Sequence, residues 1–372
     1  MSRLEHRQRI ARLTPLEDVT AWIQENVQPI APRDMAVAAA VGATLAQDIA
    51  VADPHPVAPL ALIDGWAVSA EATADAGAYT PAVLRAPFEV AAGEALRGGD
   101  DAVTPLESVT WRNDQGEVHA PVAQGESVLM PGIDGCAGEV LRYAGHRVRA
   151  VDVAVIHALG IASVRVRRPR MRVARARQGR DVIADAIANW LACTIASDGG
   201  EPLSAAPGTA EGIVAGGDVD AVVMIGGTGA GAKDDTVHAL ARTGVVQAHG
   251  IAVSPGETAA FGKANSRPVL VLPGRLDAAV AIWLLIGRAM LTRLRGGTES
   301  APSRKSTLIG KVASTVGLSE VILVRQVADG VEPLASKYLP LATLAQADGW
   351  IVIPPASEGL PPGAPVIVRP LP

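Results

Sequence analysis

The sequence predicts an α/β multidomain protein in which a largely parallel sheet lies between two regions of short strands. Three observations carry that expectation. Over residues 171–294, apolar runs end in glycine or proline and are each followed by a helical stretch, the signature of a parallel sheet covered on both faces. Over 53–132 the texture changes to short alternating runs broken by Gly and Pro, which read as a small β domain. Beyond a polar linker at 295–306, short apolar runs resume and predict a C-terminal β domain.

Taken in order, residues 15–26 place Leu16, Val19, Trp22 and Ile23 at helical spacing. The alanine-rich stretch 34–48 predicts a second helix, since alanine has the highest helix propensity. Strands are expected at 81–90, 107–111 and 117–122, and a helix at 150–160. The central region then alternates: strand 172–176, helix 182–197, strand 221–225, helix 234–243, strand 269–272 and helix 277–294. Strands at 321–327, 349–354 and 365–368 complete the chain, and no solenoid-type repeat is visible.

Composition removes function classes without naming one. A length of 372 residues allows roughly two to four domains. The formal net charge of -5 and an aromatic content of 3% argue against a nucleic-acid binder, which needs basic surface and stacking rings. The longest apolar stretch, 278–287, is too short to cross a bilayer, and the charged first residues lack the apolar run of a secretory signal, so no membrane partner is expected. Cys136 and Cys193 stand far apart and form neither a disulfide framework nor a zinc site, which fits a reducing, cytoplasmic setting.

The chemistry-bearing motifs cluster at the predicted strand ends. The segment 226-GGTGAGAKDD-235 closes an apolar strand, so Gly226, Gly227, Thr228 and Gly229 can bring backbone amides close to an anion. It matches neither the dinucleotide fingerprint nor the P-loop. An ordinary strand-to-helix turn with Asp234 as N-cap explains the same residues. Pro255-Gly256 and Pro273-Gly274 follow other β-like runs and are candidates for lining one cleft, with Arg275 beside them. Arginines crowd into 165–180. Arg165, Arg167, Arg168 and Arg170 read as a solvated connection between domains, whereas Arg175, Arg177 and Arg180 lie near a strand end, where guanidinium would meet phosphate. Asp64-Gly65, inside 62-LIDGWAV-68, reads as a hairpin turn, or as a carboxylate reaching a cleft. Asp234 and Asp235 could hold a divalent metal. The seven histidines form no catalytic or helical metal pattern, so His238 and His249 read as a helix-surface and a strand-end residue.

In this order the pieces resemble the MoeA family of molybdopterin molybdenumtransferases, which includes a domain of gephyrin. The stretch 60-LALIDGWAV-68 is similar to the family's S-A-M-D-G-Y-A-V, and 93-GEALRGGDDAV-103 to G-A-P-L-P-E-G-A-D-A-V. Residues 125–160 resemble the family's R-G-E-D…G…G…L…LG region. Then 220-DAVVMIGGTGAGAKDD-235 resembles D-V-V-I-S-S-G-G-V-S-V-G-x-x-D-Y, and Pro255-Gly256 and 271-VLPGRLDAA-279 resemble K-P-G-K-P and L-P-G-N-P-V-S-A.

The resemblance implies four parts. These are a helical and linker domain (1–50 with 139–168), an inserted β domain (51–138), a three-layer molybdopterin-binding α/β domain (169–300) and a C-terminal β barrel (301–372). It further implies a homodimer with a shared cleft, and insertion of molybdate into adenylylated molybdopterin with Mg²⁺, for which Asp64 and Asp234 would be the catalytic and metal-holding carboxylates. A molybdopterin adenylyltransferase or a client molybdoenzyme would be a partner. The alternative it leaves open is a noncatalytic relative that binds or delivers molybdopterin or the finished cofactor.

The departures from the family pattern are specific. Ala92 stands for its threonine, Pro131-Gly132-Ile133-Asp134 for R-G-E-D, 177-RQGRDV-182 for S-T-G-D-E-L, Ser254 and Glu257 for two lysines, and Arg275-Leu276 for Asn-Pro. Cationic charge is therefore expected to be rearranged around the cleft, with Arg175, Arg177, Arg180 and Arg275 in place of lysines.

Overall fold

The computed structural model describes residues 8–84, 87–177, 179–206, 208–231, 234–298 and 302–372. The chain divides into two compact units, one comprising residues up to Gln47, Ala144–His157 and Ile161–Pro372, the other Asp48–Tyr143 with Ala158–Gly160.

In the first unit, helix α1 (Leu16–Asn26) buries Val19 and Ile23. The α/β core is built from β1 (Arg170–Arg175), α2 (Val182–Ser197), β2 (Glu201–Ser204), α3 (Ala210–Ala215), β3 (Ala221–Ile225), α4 (Thr236–Thr243), β4 (Val245–His249), β5 (Ala260–Ala264), β6 (Arg267–Leu272) and α5 (Leu276–Ile282). Strand order is β2-β1-β3-β6-β5-β4. The first four strands are parallel, with Val222 opposite both Arg172 and Val269, and the last two are antiparallel. All five residues of β3 are buried because helices cover both faces of its sheet. Alternation sorts them: Val223 and Ile225 pack with Ile187, Leu191, Leu270 and Trp283, whereas Val222 and Met224 pack with Val214, Leu240, Val269 and Val271. Helix α5 continues through a π-helical stretch (Trp283–Gly287) into Arg288–Leu294, so the predicted helix 277–294 forms with one change of pitch.

The C-terminal β domain is built on Ser319–Val327, which pairs with Gly330–Ala335 and Gly349–Ile353; Pro365–Pro370 pairs in turn with Gly349–Ile353 and with Arg304–Thr307. Ile322, Val324, Val331, Ile351 and Val368 form its core. Val253–Ser254, between β4 and β5, adds to this sheet in parallel with Ser319 and Glu320. The expected linker at 295–306 is only partly a linker: Arg295 is buried and Arg304–Thr307 is a strand.

The predicted helix at 34–48 does not form. Arg33–Ala36 pairs antiparallel with Ser163–Val166, and Gly42 at φ 82° turns the chain out of any helical path, so strand pairing to a distant segment overrides alanine's local preference.

The second unit is a set of short antiparallel strands. Gly65–Val68 pairs with Phe88–Val90 and Ala102–Pro105, and Gln115–Val118 pairs with Ala82–Leu84 and Val109–Arg112. The expected strand 81–90 is thus two strands in different sheets, 107–111 begins as a 3₁₀ turn, and 117–122 ends as a strand at Val118. Asp64-Gly65 is not a hairpin turn either. Leu60–Ala61 pairs with Val128–Leu129, so the runs flanking Asp64 belong to different sheets. Gly65 is required instead by close approach, since a Cβ there would lie 2.3 Å from the carbonyl oxygen of Thr104.

Candidate functional site

Parallel strands leave a crevice beyond their carboxyl ends, and β1, β3 and β6 end side by side there. The turn after β3 is fixed first by backbone. Gly226 and Gly227 take φ values of 86° and 72°, and a Cβ on Gly227 would lie 2.1 Å from the Thr236 hydroxyl oxygen. That hydroxyl donates to the Gly226 carbonyl at 3.0 Å, and Gly226 N–H donates to Leu272 at 2.8 Å, tying the ends of β3 and β6 together.

Gln8, 3% exposed, holds the turn from outside the sheet. Its amide nitrogen donates to the carbonyls of Gly227 and Gly229, both at 2.9 Å, and its oxygen accepts from Val237 and His238 N–H at 2.8 and 3.2 Å. The amide thus satisfies two turn carbonyls and caps α4 at once. Asp234 is therefore not the N-cap: Asp235 occupies that position without a side-chain cap bond, and the capping acceptor comes from Gln8. Thr228, also buried, faces Thr258 hydroxyl to hydroxyl at 3.0 Å, and its carbonyl lies 3.0 Å from His249 Nε2.

A cavity of about 310 Å³ opens over this turn. Of the sequence-derived candidates, Arg175, Arg177, Gly226, Gly227, Thr228, Gly229, Asp234, Pro273, Gly274 and Arg275 all line it. Others do not. Arg180 is exposed on the approach to α2. Pro255 and Gly256 are buried, and a Cβ on Gly256 would sit 2.7 Å from Ile282, so this turn packs the core rather than the cleft. Asp64 belongs to the second unit, where its carboxylate accepts from Ala92 N–H at 2.8 Å. Sequence reasoning missed Gln8 and Thr258 as site-building residues. Thr258 sits two residues beyond the Pro255-Gly256 pair, but Gln8 lies in a charged run with no periodicity to mark it.

Each arginine at the cavity meets a carboxylate. Arg177 pairs with Asp234 at 3.0 Å, Arg175 with Asp185 at 2.6 Å, and Arg275 with Asp277 at 2.5 Å. The Asp277 hydrogen bond raises the Arg275 pKa above its ordinary value. Arg275 also lies 5.3 Å from the ring of Tyr338, and Leu339 N–H reaches Asp277 at 3.4 Å, so the C-terminal β domain supports this corner. Asp181 lines the cavity but serves as N-cap of α2, accepting from Ile183 and Ala184 N–H. Four neighbouring arginines are structural: Arg167 donates to Ile30, Arg168 to Gly200, Arg172 to Ile213, and Arg170 pairs with Asp218.

The donors at this cavity do not fit a divalent cation. Magnesium takes an octahedron of oxygens, usually with one or two free carboxylates. Here one Asp234 oxygen holds Arg177 and the other faces Gly231 N–H, while Asp181 Oδ1 is taken by two N–H groups of its helix. Among the described residues no group of three or more His, Cys, Asp or Glu side chains is placed to hold a metal. A larger groove of about 790 Å³, lined by Leu16, Leu284, Trp350 and the Arg288–Asp198 pair, lies away from the strand ends and their glycines. No helix among the described residues is long and apolar enough to cross a membrane.

A glycine turn fixed at the ends of parallel strands and ringed by guanidiniums is an α/β arrangement whose chemistry suits an anionic ligand. Residues 14–160 match the MoeA N-terminal region (domain I and II), and residues 178–293 match a probable molybdopterin binding domain. The chain belongs to the MoeA family. It is 26% identical to a putative molybdopterin biosynthesis protein of Methanocaldococcus jannaschii over 93% of each chain, and 24% identical to molybdopterin molybdenumtransferase 2 of Mycobacterium tuberculosis over 89% of this chain and 93% of that one. The solved structure of a MoeA protein from Pyrococcus horikoshii superposes with a TM-score of 0.77 at 25% identity, covering 96% of this chain and 99% of that one.

Proposed function

We propose that this chain acts in molybdenum cofactor biosynthesis, receiving molybdopterin or its adenylate at the ends of β1, β3 and β6 and serving insertion of molybdate into it. The carrying observation is the convergence of Arg175, Arg177 and Arg275 on the Gly226–Gly229 turn in one cavity. Phosphate suits such a site, because planar guanidinium groups bind its oxygens bidentately and glycines admit them close to the backbone. The names of the relatives, molybdenumtransferases among them, support the same reading.

On this reading the backbone at Gly226, Gly227 and Gly229 cradles a phosphate, the Thr228 and Thr258 hydroxyls border it, and the arginines supply charge. Asp234 orients Arg177. Asp64, which sits at the family's acidic position, is proposed as a further catalytic carboxylate. No step is assigned to magnesium, because both oxygens of Asp234 are already engaged, by Arg177 and by Gly231 N–H. A homodimer, a cytoplasmic setting, and exchange of ligand with a molybdopterin adenylyltransferase or a client molybdoenzyme belong to the same proposal.

The test is to incubate the purified protein with adenylylated molybdopterin, molybdate and Mg²⁺ and to measure AMP release. Molybdate-dependent release is expected. Tight pterin binding with no release would make the chain a carrier, and absence of both would end this reading. Light scattering on the same sample reads the oligomeric state.

A further inference from the structure

We propose that Arg177 occupies the place a divalent cation would take at Asp234, so that this cleft receives its anion through a guanidinium and without a metal. The proposal rests on the cleft being an anion site and adds how that anion is held.

Asp234 is built in from three sides. Its side chain is only 17% exposed, and one oxygen accepts from Gly231 N–H at 3.2 Å. Gly229 and Gly231 form the wall behind it: a Cβ on either would approach that same oxygen to 2.8 or 2.9 Å. The remaining oxygen is covered by Arg177 Nη2 at 3.0 Å. A cation seeking this carboxylate would meet a charge-assisted hydrogen bond on one oxygen and a backbone donor on the other.

Arg177 is the complementary case. Its side chain is 55% exposed, and a guanidinium carries five N–H donors in a planar fork. The one bond to Asp234 orients that fork and leaves further donors for a tetrahedral anion. Asp234 is then a positioning residue, and Arg177 is the group that touches the ligand. The neighbouring pairs, Arg175 with Asp185 and Arg275 with Asp277, repeat the device at the other edges of the cavity. The guanidiniums at the cavity are thus each paired with and aimed by a carboxylate, with no bound ion needed to place them.

The test uses inorganic phosphate and Mn²⁺ as probes on the 372-residue chain. Calorimetric titration with phosphate should give the same affinity within about twofold in EDTA and in Mg²⁺. Manganese, followed by loss of its free-ion spin-resonance signal, should not bind in a manner that D234N removes. R177S should bind phosphate roughly tenfold more weakly in EDTA and gain a Mn²⁺ site that D234N then abolishes, while R177K, which lacks the planar fork, should fall in between. Unchanged thermal melts of these variants separate loss of binding from loss of fold. A wild-type Mn²⁺ site sensitive to D234N, phosphate affinity that collapses in EDTA, or no phosphate binding in either buffer would each overturn the proposal. Failure of molybdenum chemistry alone is distinguishable, because AMP release and pterin binding would be absent while the phosphate and manganese results stood.

Discussion

The side-chain nitrogen of Gln8 lies 2.9 Å from the carbonyl oxygen of Gly227, although 219 positions separate them in the chain. With its other three hydrogen bonds, this one amide sets both the shape of the glycine turn and the start of α4. Q8A should leave buried carbonyls and helix N–H groups without partners, costing about 2 kcal/mol of stability. A urea melt reads that loss. Ligand affinity should fall as well, since the turn that lines the cavity loses its tie, and a melt indistinguishable from wild type would show that the turn holds itself.

The three strand-end arginines should separate on substitution. R175A and R177A are each expected to weaken binding of a phosphorylated pterin about fivefold, the upper end for an exposed ion pair. Both should flatten its dependence on ionic strength. R180A should change neither, because Arg180 does not line the cavity. Fluorescence titrations at two salt concentrations decide it, and equal effects from all three would assign them to a general field.

Asp277 is 4% exposed at its side chain and anchors Arg275 through two hydrogen bonds. In D277N the amide can accept through one atom only, so Arg275 should lose its orientation and stability should drop by about 1–3 kcal/mol. Y338A removes the ring beneath the same guanidinium at smaller cost, about 0.5–1 kcal/mol for an exposed cation–π contact. D277N should therefore reduce ligand affinity more than Y338A. The reverse order would shift recognition from the charge to the ring.

Thr228 and Thr258 meet through their hydroxyls at 3.0 Å. T228V and T258V should each destabilise the protein by about 1 kcal/mol, and the double variant by less than the sum, because either change already breaks the shared bond. Additive losses in thermal melts would mean that the two hydroxyls act separately.

Much of the α/β region was legible because its signals are local. Ala221–Ile225 is a continuous apolar run that only a strand buried on both faces requires, and the glycines behind it mark the turn. Ten of the site candidates then fell together, since strand ends in a parallel sheet share one crevice. The hidden parts depend on distant partners. Residues 34–48 carry a helix's composition, yet Arg33–Ala36 answers to Ser163–Val166. Pro255 and Gly256 look like cleft residues in sequence, but Ile282 fills the space beside them. Gln8 has no pattern around it, because a buried amide satisfied by four long-range bonds leaves no periodic trace.

The contacts of Tyr338 with Arg275 and of Leu339 with Asp277, together with the pairing of Val253–Ser254 to Ser319 and Glu320, bear on how this family's C-terminal β domain can vary. Such domains are readily pictured as interchangeable modules joined by a linker. Here the module supplies the floor under a guanidinium that lines the cavity. A chimera carrying a relative's C-terminal domain would therefore be altered in its binding cleft, even with every residue before Thr298 unchanged.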